Sequence, residues 1–230
     1  MVIGKGMMAK VFSVYETSRN IMIFASGVSD SQEKSEIAFK REEDLLRKCL
    51  ATAGGMIFIY FSTCSIYDQS LKENPYVQHK IKMEEIIKGN AKKYLIFRLP
   101  QVVGKTTNNT LINFFYNMVK SGQQFEVWTR AYRNLLDCED AFKICSYIID
   151  KKLFLNRTVN IASPIMLPAP MIVELIEKIL DKKGNYVLVD KGGNAYTIDL
   201  KDVMPVIKAL NLVFNEQYPE RVIRKYYGGI

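Results

Sequence analysis

Several classes of protein are excluded by what this 230-residue sequence lacks. It contains only 13 glycines and 7 prolines, and 48% of its residues are hydrophobic, which is typical of a folded chain rather than a disordered one. Its four cysteines show no Cys-x-x-Cys spacing, so we predict reduced thiols in the cytoplasm and no structural zinc. Repeats and low-complexity tracts are also absent, which favours one compact unit.

Long apolar runs are missing as well. No stretch approaches the ~18 apolar residues that a membrane-spanning helix needs, and the first residues lack the basic and apolar segments of a secretion signal. We therefore expect a soluble cytoplasmic protein without membrane insertion.

The formal net charge of +8 is scattered along the chain. No basic run is longer than a pair such as Lys92-Lys93, whereas nucleic-acid-binding proteins concentrate their positive charge on one stripe or face. A scattered excess still raises the local concentration of dinucleotides and nucleotide diphosphates near a cleft. We predict small anionic ligands and no nucleic-acid partner.

Short apolar runs alternate with longer amphipathic stretches through the first two thirds of the chain. We predict strands at 2–3, 21–25, 56–61 and 94–98, and helices near 7–17, 33–53, 75–88, 109–121 and 138–151. This order predicts an α/β fold with a Rossmann-like, doubly wound parallel sheet. The last third is less regular, with predicted strands at 159–162 and 186–189 and helices at 168–180 and 203–210.

A glycine-rich turn follows the first predicted strand. Gly4-Lys5-Gly6-Met7-Met8-Ala9 has the spacing Gly-x-Gly-x-x-Ala and leads into a helix. In that context glycines let the backbone approach a pyrophosphate, and the helix N-terminus supplies N–H donors. The alternative is an ordinary strand-to-helix turn.

Three Tyr-x-x-x-Lys pairs occur, and the surroundings of Tyr76 and Lys80 distinguish that pair from the others. Only this pair opens a helix directly after a proline and follows a strand that ends in hydroxyl residues. Residues four apart share a helix face, so the Lys80 ammonium is expected to lower the pKa of the Tyr76 phenol from ~10 toward the range of a general acid or base. A surface ion-pairing arrangement is the alternative.

Other residues near this pair have weaker signals. Thr63, at the end of the preceding strand, is expected to orient a substrate oxygen, with Ser62 and Ser65 as competing candidates. His79 is the only histidine, and we expect its side chain to point away from the face of Tyr76 and Lys80.

Four segments, taken in order, resemble the NAD-dependent epimerase/dehydratase family, the nucleotide-sugar branch of the extended short-chain dehydrogenases/reductases. They are Phe24-Ala25-Ser26-Gly27-Val28-Ser29, Phe61-Ser62-Thr63-Cys64-Ser65-Ile66-Tyr67, Pro75-Tyr76-Val77-Gln78-His79-Lys80 with Glu84, and Phe97-Arg98-Leu99-Pro100-Gln101-Val102-Val103-Gly104. The similarity covers about residues 1–165. It is strongest to short members associated with capsule or O-antigen biosynthesis.

The resemblance implies NAD or NADP as cofactor and an NDP-sugar as substrate. It assigns catalysis to Thr63, Tyr76 and Lys80, and cofactor binding to Gly4, Gly6, Ala9, Ser26, Gly27, Lys80 and Pro100. It assigns substrate binding to Asn109 and Arg133, where an arginine suits a diphosphate. A salt bridge of Arg133 with Asp137 or Asp140 is the alternative for that residue.

The sequence also departs from the family pattern. Only about 11 residues separate Ala9 from the strand at 21–25, too few for the two strand-helix units that family members have there. No acidic residue is a secure counterpart of the one that reads the adenosine ribose, so NAD and NADP stay open. Arg41 or Glu42 stands where an asparagine is common near the cofactor. We therefore expect a sheet that is reduced at its cofactor end.

Together these features predict an NAD(P)-dependent nucleotide-sugar epimerase or ketoreductase of surface polysaccharide synthesis. The predicted domains are a cofactor-binding domain at 1–160, with substrate-lobe insertions near 105–135, and a substrate lobe at 161–230. The alternative is an impaired family member that binds a nucleotide sugar or a protein partner without turnover. The resemblance also implies a possible homodimer, with the helices near 33–53 and 75–88 as candidates for its interface.

Overall fold

The computed structural model describes residues 1–108 and 110–229. Their strands are β1 (Val2–Ile3), β2 (Ile21–Phe24), β3 (Ile57–Thr63), β4 (Tyr94–Leu99), β5 (Gln101–Val103), β6 (Gln124–Arg130), β7 (Tyr132–Arg133), β8 (Leu135–Asp137), β9 (Arg157–Asn160), β10 (Leu167–Pro168) and β11 (Asn185–Gly192). Their α-helices are α1 (Met7–Val11), α2 (Glu36–Ala53), α3 (Pro75–Asn90), α4 (Leu111–Ser121), α5 (Cys138–Asp150), α6 (Ala169–Leu180), α7 (Met204–Ala209) and α8 (Tyr218–Tyr227).

The centre of the fold is a five-stranded parallel sheet in the order β1-β2-β3-β4-β9. The predicted Rossmann-like α/β class is thereby confirmed. β1 pairs directly with β2, and only the five-residue α1 and a short 3-10 turn lie between them. The sheet is therefore reduced at this end, as the short spacing in the sequence predicts.

Helices cover both faces of this sheet. Successive residues of a strand point to opposite sides, so each strand packs against both layers of helices. Ile57 and Ile59 of β3 pack in the apolar cluster beneath α1, α5 and α7. Phe58 and Tyr60 pack on the other side, against α2 and α3. The strand is buried on both faces, which explains its nearly continuous apolar sequence.

Helices α2 and α3 both begin at a side-chain cap. Ser35 caps α2, and the buried residues of that helix are Glu42, Leu46, Cys49 and Ala53, which form one stripe at helical spacing. Asn74 caps α3 by accepting the Val77 N–H at 3.2 Å, and Pro75 occupies the first turn. A glutamate therefore occupies a core position of α2.

A second apolar cluster lies outside the central sheet. It joins α4 and β6 to α6 and α8, so residues between 103 and 135 share a core with residues between 167 and 227. β6 pairs in parallel with β11. The boundary at residue 160 stays a prediction, but the segment near 105–135 packs with the C-terminal third of the chain.

Within the two described ranges, no helix combines the length and the hydropathy that crossing a bilayer requires. The four cysteines are buried and free.

Candidate active site

Thr63, Tyr76 and Lys80 lie together where β3 ends and α3 begins. β3 runs to Thr63, and α3 places Tyr76 and Lys80 one turn apart. All three side chains are buried, and Lys80 is only 3% exposed. The Lys80 Nζ atom lies 5.8 Å from the centre of the Tyr76 ring. The predicted residues are close together, but the surroundings of Lys80 differ from the expectation.

The carboxylate of Glu42 is the centre of a buried polar network. Its Oε2 accepts the backbone N–H of Val28 at 2.6 Å and lies 3.0 Å from Nε2 of His79. Its Oε1 accepts the Tyr60 hydroxyl at 2.7 Å and the Lys80 ammonium at 3.1 Å. Lys80 also donates to the Tyr60 hydroxyl oxygen at 3.0 Å. Glu42 is thus the counter-ion of Lys80.

Gly27 closes this network from the direction of β2. A Cβ atom added to Gly27 would lie 2.7 Å from Lys80 Nζ and 2.8 Å from Glu42 Oε1. The backbone after β2 therefore packs directly on the ion pair, and a side chain at this position would have to displace Lys80 and Glu42. The half-buried Ser26 and the buried Val28 complete this side of the site.

Charge and burial oppose each other in the Glu42–Lys80 pair. Burial alone would raise the pKa of Glu42, but the Lys80 charge and the hydrogen bonds from His79, Tyr60 and Val28 outweigh it and lower the pKa to about 2. Burial also lowers the pKa of the Lys80 ammonium, while the carboxylates of Glu42 and Glu84 act against that fall.

The expected lowering of the Tyr76 pKa is wrong for this structure. Burial of the phenol is the largest effect and raises the pKa to about 12. The neighbouring Thr63 hydroxyl acts to lower the pKa, whereas the negative charges of Glu42 and Asp30 act to raise it. Because Lys80 is neutralised by Glu42, its charge does not offset the burial. Tyr76 is a protonated phenol at neutral pH.

The hydroxyl residues at the end of β3 have different surroundings. Thr63 Oγ1 accepts the Ser65 N–H at 3.0 Å and lies beside the Tyr76 phenol. Ser62 donates instead to Glu84 Oε1 at 2.6 Å. Glu84 also pairs with Arg98 through two hydrogen bonds of 2.8 and 2.7 Å. Ser62 is therefore held in a separate ion-pair network, which leaves Thr63 as the better placed hydroxyl.

The glycine-rich turn fits the pyrophosphate of a dinucleotide in part. Gly4 has a φ of +133°, and a Cβ there would collide with the Ala25 carbonyl oxygen, so the fold itself requires this glycine. A Cβ on Gly6 would meet nothing within 4 Å, so space for a ligand lies next to it. Ala9 is buried against the sheet. The turn fits the cofactor, whereas the Lys80 ammonium already donates to Glu42 and Tyr60 and has one N–H left for a nicotinamide ribose.

The other predicted residues are Pro100, Asn109 and Arg133. Pro100 is half-buried between β4 and β5. Asn109 lies outside the described residues. Arg133 is half-buried on β7 and donates to the Tyr132 carbonyl at 2.7 Å. Burial raises the pKa of Tyr196, and the charge of Arg133 acts to lower it. Within the described ranges Arg133 forms no salt bridge with the two aspartates of the alternative, because Asp137 pairs with Lys225 and Asp140 with Lys143.

Two features of the network were not predicted. His79 does not point away from the site, because it contacts Glu42 and stacks on Phe39 with ring centres 4.6 Å apart. Glu42 was recognised only as a departure from the family pattern. Its signal in the sequence is a charged residue in the apolar stripe of a helix, which requires buried partners.

Two surface cavities lie away from this site. One, of about 280 Å³, is lined by residues of α5 and α8 with the 211–213 segment. The other, of about 560 Å³, lies along the outer face of α2 and includes Ile37, which is 84% exposed. Neither is lined by Tyr76, Lys80 or the glycine-rich turn.

The two glycines of the turn are expected to respond differently to alanine. Gly4→Ala places a Cβ against backbone at a positive φ, so we expect a loss of about 2 kcal/mol or more in the free energy of unfolding. Gly6→Ala, whose Cβ meets no atom, is the matched control and is expected to change stability by less than about 0.5 kcal/mol. Urea unfolding of both variants measures this, and equal losses would contradict the described turn.

The Glu42–Lys80 pair predicts a pH dependence of stability. The folded-state pKa of Glu42 lies below its ordinary value of 4.5, so its stabilisation is present above that pH and is lost as the pH falls through about 2. Glu42→Gln leaves Lys80 buried without its counter-ion and is expected to cost about 3–5 kcal/mol at pH 7. Urea unfolding between pH 7 and 2.5 should show this difference shrinking with acidification. A difference that is constant with pH would contradict the ion pair.

Solved structures with the same fold are numerous, and three illustrate their range. UDP-glucuronic acid 4-epimerase from Bacillus cereus, in complex with UDP-glucuronic acid and NAD, has a TM-score of 0.71 and 14% identity, over 94% of this chain and 76% of that one. A dTDP-4-dehydrorhamnose reductase from Clostridium acetobutylicum has a TM-score of 0.69 and 14% identity, over 94% and 84%. RMD from Pseudomonas aeruginosa, complexed with NADPH, has a TM-score of 0.69 and 14% identity, over 89% and 79%.

At such low identity these structures establish the fold and not the reaction. No curated protein sequence matches the chain. The model of the NAD dependent epimerase/dehydratase family matches residues 8–162, which begin after Gly4 and Gly6 and include Thr63, Tyr76 and Lys80. Because that match covers more than half of the sequence, the chain belongs to the NAD dependent epimerase/dehydratase family.

Proposed function

We propose that this protein is an NAD(P)-dependent nucleotide-sugar epimerase or ketoreductase that acts at a carbinol or keto carbon of the sugar. The observation that carries the proposal is the Thr63–Tyr76 pair at the end of β3, with Lys80 one helical turn further along α3. Family membership and the glycine-rich turn after β1 support it.

In this proposal Tyr76 exchanges a proton with the sugar oxygen, and Thr63 orients that oxygen. A phenol held against a hydroxyl at the edge of a buried site is suited to this step, because burial excludes water and fixes both groups. The bound cofactor supplies hydride transfer at the same carbon. Gly4, Gly6 and Ala9 would hold its pyrophosphate, and Ser26, Gly27 and Pro100 would line its path.

The proposed substrate is an NDP-sugar, and Arg133 is the proposed contact to its diphosphate. The guanidinium forms no salt bridge within the described ranges and lies near Tyr196 on a separate loop, so a phosphate would be a suitable partner. Asn109 is proposed for the same substrate from the family resemblance alone. We place the reaction in surface polysaccharide synthesis on that resemblance, and we include a homodimer with α2 and α3 as the candidate interface.

The alternative proposal is a family member that binds a nucleotide sugar or a protein partner without turnover. Two observations favour it: Lys80 is buried and neutralised by Glu42, and the sheet is reduced beside β1. Both features are expected to weaken cofactor binding. The two proposals differ in whether the cofactor binds and whether Tyr76 is needed.

Calorimetry with NADH and NADPH tests the cofactor site. Gly6→Asp places a negative charge in the open space beside the turn and is expected to lower the affinity at least about 10-fold by repelling the pyrophosphate. Gly55→Asp adds the same charge at another open glycine, in the loop before β3, and is expected to bind like the wild type. The enzyme proposal is excluded if neither nucleotide binds at millimolar concentration.

Turnover of NDP-sugars tests the role of Tyr76. Removing the phenol oxygen in Tyr76→Phe is expected to reduce kcat about 100-fold or more, since general acid-base groups contribute on that order. Tyr147→Phe is a matched control, because it removes a phenol from a Tyr-x-x-x-Lys pair on α5. If the Tyr76→Phe variant keeps the full biological activity of the protein in the cell, that result would favour the alternative proposal.

A further inference from the structure

We propose that Glu42 is a positioning residue that holds the Lys80 ammonium on its own carboxylate and away from Tyr76, so that the site is poorly suited to a reaction that begins by taking a proton from a carbinol. The inference rests on the proposed function, in which Tyr76 is the group that exchanges a proton with the substrate. Glu42 itself does not reach the substrate, because its side chain has 0% exposure.

The geometry assigns Lys80 to Glu42 rather than to Tyr76. Lys80 Nζ lies 3.1 Å from Glu42 Oε1, but 5.8 Å from the centre of the Tyr76 ring. The Tyr60 hydroxyl, which bonds to both members of the pair, and the backbone at Gly27 hold the ammonium in this position. A cation with a carboxylate at contact distance exerts little net field on a third group further away.

The other charges around Tyr76 add to the same effect. Asp30, from the loop after β2, and Cys64, from the turn after β3, act to raise the pKa of the phenol, and Thr63 is the neighbour that lowers it. On α3 itself, Glu84 faces Lys80 with a second negative charge, and His79 contacts Glu42. No group of this set, within the described residues, replaces the cation that Glu42 neutralises.

A phenol in this state suits one direction of proton transfer. The O–H bond of Tyr76 breaks as a new O–H bond forms on the substrate oxygen, which develops negative charge when a keto carbon is reduced. The reverse transfer requires a phenolate to accept a proton from a carbinol, and the neutralised Lys80 does not stabilise that phenolate. Glu42 therefore disfavours a reaction that begins by oxidising a carbinol, whereas the protonated phenol can still donate in a ketoreduction.

Titration of Tyr76 in the protein without cofactor tests this role directly. The Cζ carbon of tyrosine, labelled with ¹³C, reports ionisation of each phenol by NMR, and Tyr76→Phe identifies the signal. In the wild type we expect no ionisation of Tyr76 below about pH 10.5, given a pKa of about 12. In Glu42→Gln the freed Lys80 charge is expected to lower this pKa below the wild-type value, although the burial of the phenol remains. Equal titration of the two proteins would overturn the proposal.

Two further variants separate charge from structure. Glu42→Gln/Lys80→Met removes both charges and is expected to return the pKa of Tyr76 to about the wild-type value of 12. If the double variant titrates as low as Glu42→Gln, a structural opening lowers the pKa and the proposal is wrong. If Glu42→Gln does not fold, Glu42→Asp moves the carboxylate away from Lys80 by one methylene and is expected to give a smaller fall, whose absence would overturn the proposal.

Glu177→Gln is the matched control. Glu177 is also a buried glutamate with a lysine partner, Lys183, but it lies on α6 outside the site. Its variant is expected to leave the titration of Tyr76 unchanged. Because no cofactor is present, a failed NADH or NADPH titration would overturn the proposed function alone, and an unaltered Tyr76 in Glu42→Gln would overturn the role of Glu42 alone.

Discussion

A carboxylate stays ionised in the interior of a protein only if donors and a counter-ion replace the water it has lost. Glu42 meets this condition through the Val28 N–H, the Tyr60 hydroxyl, His79 and the Lys80 ammonium. These partners come from α2, α3, β3 and the loop after β2. The pair of Glu42 with Lys80 therefore joins the elements that surround the candidate site, and it sets the charge that Tyr76 experiences.

The reduced sheet and the buried pair have a common consequence for the cofactor. Family membership and the open space at Gly6 favour a dinucleotide, while the missing strand-helix units remove support for its adenosine end. Lys80, which the family resemblance assigns to the nicotinamide ribose, is held by Glu42 instead. Both features lie where the proposed cofactor would bind, one beside its adenosine end and one beside its nicotinamide ribose.

The sequence was sufficient for the parts of the fold that depend on local pattern. The central strands and the helices α2, α3, α5 and α6 were predicted to within a few residues, because apolar periodicity and caps define them. The strands β5 to β8 and β10 were missed, since their pairing depends on contacts distant in the sequence. The helix α8 was also missed, although a proline occupies its first turn. The Tyr76 environment was mispredicted for the same reason: spacing places Lys80 on the correct helix face, but it cannot reveal that α2 supplies a counter-ion.

The measurement that tests the Glu42–Lys80 pair most directly is a ¹H–¹⁵N NMR spectrum of lysine side chains at neutral pH, with the Lys80 signal assigned by its loss in Lys80→Met. The account predicts a charged ammonium that exchanges slowly with water, because it is 3% exposed and donates to Glu42 and Tyr60. A neutral amine at this position, or an ammonium that exchanges as fast as those of exposed lysines, would contradict the account.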